Sequence, residues 1–293
     1  PQPNDILQFT LGGTSTATGI PASEVVARII FNNNTETTFT SSVSSWLSLN
    51  GPSAQDNLII NSGSTLNLGS SSGLRYQTGT GQTGKIEGSL NVQAGGSFST
   101  LPAGLTIVYV SPNGTVRQLG GTISSSSATF KFQASSHYYH QVTGGSIPSA
   151  EWNVTSTVHL ESPATGTIAG VSQTFGHFIV NTASAVTTSI ASSITAIAGN
   201  LTLQSGTFSD NGYFVYLRGD YTNNAVHTGS AAISMNSGTA PHNISGTGVF
   251  GNTELNDIQG AILNNSITHA GNLMLPNGSF TIGANTLTLT GGL

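Results

Sequence analysis

Apolar and small polar residues alternate along most of this chain in short runs of four to seven residues. Leu58-Ile59-Ile60, Thr65-Leu66-Asn67-Leu68, Ser89-Leu90-Asn91-Val92, Thr106-Ile107-Val108-Tyr109-Val110 and Leu287-Thr288-Leu289 are examples. A period of two with one buried face is the signature of a strand. Between the runs stand Asn-Ser-Gly, Pro-Asn-Gly, Ala-Gly-Gly and Asp-Asn-Gly, which supply the positive φ that tight turns need. Helical periodicity is almost absent. Ala22 to Arg28 allows a helical turn, and Val25 to Phe31 reads equally well as a strand.

The motifs repeat. Gly199-Asn200-Leu201-Thr202-Leu203-Gln204-Ser205-Gly206-Thr207-Phe208 aligns with Gly271-Asn272-Leu273-Met274-Leu275-Pro276-Asn277-Gly278-Ser279-Phe280 at an offset of 72 residues. A shorter echo places Leu58, Ile60 and Gly63 on Leu90, Val92 and Gly95. The longer offset suits roughly three coils of about 24 residues, within the range of solenoid repeats. One coil cannot bury its apolar face, whereas stacked parallel coils satisfy one another's backbone groups at about 4.8 Å spacing. The expected fold is therefore all-β, a parallel β-helix (β-solenoid) of short strands. About twelve coils would make a rod on the order of 60 Å long. The alternative is an array of β-sandwich domains built on hairpins. A less regular middle, with Gly120-Gly121 and Ser124 to Ser127, suggests coils over 1–120 with a capping strand and coils over 121–293, joined as one rod.

Composition sharpens this picture. Only 6% of the residues are charged, while 36% are hydrophobic and 37 are glycine. Such a chain can bury a core and keeps its surface soluble with Ser, Thr, Asn and Gln, the habit of strand-and-turn proteins outside the cell. The formal charge is -5 and no basic stripe exists, so no nucleic-acid partner is expected. Without cysteine, neither disulfides nor thiolate metal sites can form. No apolar run reaches the length of a membrane-spanning helix, and no membrane insertion is expected. Pro1-Gln2-Pro3-Asn4-Asp5 reads as a processed or trimmed start, and the last residues read as the inside of a repeat that the natural polypeptide continues.

Two stretches are distinctive: Gly144-Gly145-Ser146-Ile147-Pro148-Ser149-Ala150-Glu151-Trp152, and Ser172-Gln173-Thr174-Phe175-Gly176-His177-Phe178. With His242-Asn243-Ile244-Ser245-Gly246, they resemble the repeat-rich surface proteins exported by the bacterial type IX secretion system. The resemblance is specific from 136 to 293 and generic before that. It implies a secreted or cell-surface β-solenoid, often adhesin-like, and brings no catalytic motif. Val158 stands where many relatives carry cysteine, and the C-terminal sorting domain that such export uses is not within the sequence.

The chemistry candidates are few. His137 and His140 could ligate a metal but lack a third ligand nearby, so the segment His137-Tyr138-Tyr139-His140 reads as an exposed aromatic loop. With Trp152 it is the candidate contact for a sugar or a neighbouring subunit. The carboxylates are scattered, and Glu254 with Asp257 reads as a solvated turn. Asp210 and Asp220 could face each other across adjacent turns around calcium, but the calcium-coil repeat is missing. No catalytic residue, metal or cofactor is expected, and the chain reads as not an enzyme. Thr286, Thr288 and Thr290 form one short threonine ladder, and the Asn-x-Ser/Thr sites at Asn33, Asn113, Asn153, Asn200, Asn243, Asn264 and Asn277 read as turn asparagines. The expected function is that of a non-enzymatic extracellular structural protein, part of a surface fibre or stalk that self-associates through coil ends. The strand around Ile6, Leu7, Phe9 and Leu11 and the open final coil at Leu293 are the candidate assembly elements. The alternative is an adhesin module that binds glycans or a cell surface.

Overall fold

The computed structural model describes residues 3–53, 55–77, 81–101 and 106–292. It is a parallel β-solenoid of about 13 turns, with no helix among the described residues. The segment 22–28 is strand and turn: Ser23–Val26 and Arg28–Phe31 are separate strands on two different faces. Among the described residues every strand pairing is parallel, and the one antiparallel contact is an isolated bridge, Gln93 to Gly120. That pattern excludes the hairpin-built sandwiches. The chain forms two compact units, one of 1–141 with 148–156 and the other of 142–147 with 157–293.

In the N-terminal unit the first face runs from Ile6–Phe9 through Arg28–Phe31, Asp56–Ile60, Thr83–Ile86, Ile107–Val110 and Phe130–Phe132 to Glu151–Trp152. A second face begins with Gly13–Ala17 and reaches His137–His140, and a third runs from Ser23–Val26 to Thr122–Ser124. Alternation sends every second side chain inward, so equivalent residues stack in columns. Phe31, Ile60, Ile86, Val110 and Phe132 form one such column, all buried. Burying each of these side chains stabilises the unit by roughly 1.5–3 kcal/mol. Rings gather where columns meet: Phe9 stacks on Phe31 at 4.9 Å, and Phe132 on Trp152 at 4.1 Å.

The C-terminal unit repeats the plan. Its faces begin with Thr157–Glu161, Gly166–Ile168 and Thr174–Phe175, and end with Phe280–Thr281, Leu287–Leu289 and Leu273–Asn277. Phe178, Leu201, Tyr221, Ile244 and Leu263 form a buried column down the first of these faces.

Corners are made by four-residue turns whose third residue has positive φ, closed by a hydrogen bond from the fourth residue's N–H to the first residue's carbonyl. Gly63 (79°), Gly95 (77°), Asn113 (63°), Ser71 (55°) and Ser135 (57°) occupy that third position. Coil length varies. Down the first face of the N-terminal unit, Phe31 pairs with Ile60, then Ile86, Val110, Phe132 and Trp152, successive advances of 29, 26, 24, 22 and 20 residues. The regular 24-residue coil inferred from the 72-residue offset is therefore corrected. Leu201 and Leu273, which that offset aligns, lie on different faces, as do Leu58 and Leu90. What recurs in the sequence is the strand-and-turn motif of any corner, not the whole coil.

Candidate functional site

His137–His140 is a strand rather than an exposed loop. Its register against Thr115–Leu119 fixes which residues face inward: Val116 pairs with Tyr138 and Gln118 with His140. Tyr138 and His140 are fully buried, and Trp152 is only 8% exposed. The Tyr138 hydroxyl donates to Gln118 Oε1 at 2.5 Å and lies 3.2 Å from His140 Nδ1, while Gln118 Nε2 donates to the Gly121 carbonyl at 2.8 Å. Burial pushes the Tyr138 phenol well above its ordinary pKa. These three residues thus build the interior, and Trp152 closes it by packing edge-on to Tyr138 at 5.9 Å. His137 and Tyr139 point outward and are partly exposed; the Arg117 guanidinium lies 3.8 Å above the Tyr139 ring. Burial, and then the Arg117 charge, hold the His137 imidazole below its ordinary pKa. No group of three metal-ligating side chains occurs among the described residues.

The candidate assembly strand is the first rung of its face. Ile6, Leu7, Gln8 and Phe9 pair with Arg28, Ile29, Ile30 and Phe31, and the strand is the edge of its sheet. Leu7 and Phe9 point inward yet are only half-buried; with Phe39 and Leu47 they surround an open hollow of about 190 Å³. Ile6 is 49% exposed, and Leu11 lies beyond the strand, wholly exposed. At the other end of the sequence Leu287–Leu289 is likewise an edge strand, with Leu289 37% exposed. Leu293 lies outside the described residues.

Two constellations were not anticipated from the sequence. The first is a charged column on the outer side of the first face. Lys85, Tyr109, Lys131 and Glu151 pair in succession, so both lysines of the chain flank one tyrosine. Lys85 Nζ meets Glu87 at 2.5 Å, and Lys131 Nζ meets Glu151 Oε2 at 2.7 Å. Each hydrogen-bonded carboxylate raises its lysine's pKa. Beside the column an open groove of about 490 Å³ is lined by Tyr109, Pro112, Lys131, Gln133, Glu151 and Asn153, crossing three rungs. The available signal is the spacing of these residues, 24, 22 and 20, close to a coil length.

The second constellation is a pair of interior His–Asp contacts in the C-terminal unit. Asp257 is 4% exposed, so the solvated-turn reading is corrected for this residue. Its Oδ1 accepts from Gln259 N–H at 2.9 Å, and its Oδ2 accepts from Gly238 N–H and lies 3.1 Å from His242 Nε2. His242 Nδ1 donates to the Gly219 carbonyl at 2.6 Å. Asp210 is fully buried, with His227 Nε2 at 3.3 Å and its Oδ1 accepting from Gly212 and Ala231 N–H. Burial alone would raise both carboxyls, but these donors together hold each below its ordinary pKa. Asp220 instead accepts from Asn243 in the next rung.

Comparison with known proteins adds no relative: no family model, no curated protein and no solved structure matches the chain.

Proposed function

We propose that this chain is a non-enzymatic, extracellular structural protein, a segment or subunit of a bacterial surface fibre or stalk that self-associates through its coil ends. The observation that carries the reading is the sheet edge formed by Ile6–Phe9. Leu7 and Phe9 stand half-buried around an apolar hollow, on a strand whose outer backbone edge has no partner strand among the described residues. An unpaired parallel edge above an uncovered core is a template for another rung. Leu287–Leu289, likewise the edge of its sheet among the described residues, offers a second copy a parallel strand to pair with, and head-to-tail addition is the contact proposed.

The lack of a catalytic role draws support from the carboxylates. Glycoside hydrolysis needs two carboxyls about 5 to 9.5 Å apart in a cleft, whereas Asp210 and Asp257 are buried and held by their own backbone donors. The low charge and the resemblance to type IX cargo support placement at the cell surface.

Sedimentation and negative-stain imaging over a concentration series test the proposal. Oligomers that grow with concentration are expected, and Leu7→Asp with Phe9→Asp should leave a folded monomer. A wild-type chain that stays monomeric at every concentration refutes the reading.

A further inference from the structure

The groove beside the charged column has no part in assembly through coil ends, since it lies on the outer side of the first face. We propose that it binds a neutral glycan, laid along the stack across three rungs with one sugar ring against Tyr109. Its volume, about 490 Å³, falls in the range of small-ligand sites. Tyr109 is partly exposed, and its side chain, beside Lys131, makes neither a hydrogen bond nor a ring contact among the described residues. A flat ring with few rotatable bonds buries the C–H face of a sugar at little entropic cost.

The polar rim fits hydroxyl groups. Lys131 spends one of its three donors on Glu151 Oε2 and keeps the others. Glu151, which is 62% exposed at its side chain, keeps its second oxygen as an acceptor. Asn153 Oδ1 is occupied by Thr155, which leaves its amide N–H groups to donate. Gln133 adds one donor group and one acceptor. Every sugar hydroxyl both donates and accepts, so such a mixed rim pairs with a hydroxylated chain. The charge argues for a neutral one: Lys131 is already balanced by Glu151, and an acidic polymer would meet that exposed carboxylate. Rungs repeat at about 4.8 Å, roughly one sugar ring per rung, so a polymer meets similar ground at each step.

Isothermal titration of the purified chain with cellohexaose, chitohexaose, maltohexaose and hexagalacturonate tests this. At least one neutral hexasaccharide should bind and hexagalacturonate should not. Tyr109→Ala should weaken binding about tenfold or more, a difference of about 1.4 kcal/mol, while Tyr109→Phe keeps it. Both variants should melt with the wild type because the ring faces outward. Should Tyr109→Ala lower the melting temperature, Lys131→Gln combined with Glu151→Gln carries the same test. No binding by any neutral chain, binding by the acidic one alone, or binding indifferent to these substitutions overturns the proposal. The outcome is independent of whether the chain assembles.

Discussion

At the scale of single residues, the interior holds polar groups among its apolar columns, and several of them are tied to the backbone. Asp257 is the clearest case. Its carboxyl is held below the usual carboxylate range by amide donors and by His242. A depressed carboxyl contributes stability that is fully present above its unfolded value, near pH 4, and is lost as pH falls through the folded value. The C-terminal unit should therefore melt lower at pH 3 than at pH 7. Asp257→Asn should cost about 1–3 kcal/mol at pH 7, and the gap to wild type should narrow on acidification; thermal melts at both pH values measure this. If the gap stays constant with pH, the assigned role of the carboxylate is wrong. Tyr138→Phe, which leaves Gln118 Oε1 without its hydroxyl donor, should cost about 1–3 kcal/mol by the same measurement.

Residue identity alone could not have oriented that tyrosine. His137-Tyr138-Tyr139-His140 reads the same from either end, so alternation permits either Tyr138 or Tyr139 to face inward. Only the register against Val116 decides, and register is set by neighbouring coils far away in sequence. The burial of Asp257 is hidden in the sequence for a related reason. A lone carboxylate in a polar stretch looks solvated until His242 and the Gly238 amide are folded onto it.

At the scale of elements, strands and corners were legible because both signals are local. Period-two runs became strands, and Asn-Ser-Gly and Pro-Asn-Gly became turns with positive φ at Gly63 and Asn113. Serine holds the same position at Ser135, where it carries a backbone conformation that favours glycine. Ser135→Gly should thus melt no lower than wild type, relief of about 1 kcal/mol offsetting the added chain entropy. Gly63→Ala should be destabilising by more than about 1 kcal/mol, since its new Cβ would collide with the Asn34 side chain as well as hold a disfavoured φ. Denaturant titration of both variants decides the matter; equal stabilities would sink the account of the corners. The coil period was not legible, because every corner uses similar words and an offset of 72 matches one face to another.

At the scale of the whole molecule, cohesion rests on backbone pairing and apolar columns rather than on charge. The ion pairs Lys85–Glu87 and Lys131–Glu151 are partly exposed, and such pairs contribute about 0–1 kcal/mol each. Raising sodium chloride from 20 mM to 1 M should accordingly shift the melting temperature by no more than a few degrees; a drop of more than ten degrees would contradict this picture. Pairing is conserved on each face while the advance from one rung to the next falls from 29 to 20 residues. Most of that difference is absorbed outside the ladders, a bulge between Thr83 and Gly84 taking up one residue within them. A splice at a corner therefore leaves the columns in register, and foreign peptides carried there would be displayed without disturbing what supports them. New recognition surfaces can accumulate by insertion where a corner is not packed against its neighbour, as Gly63 is against Asn34.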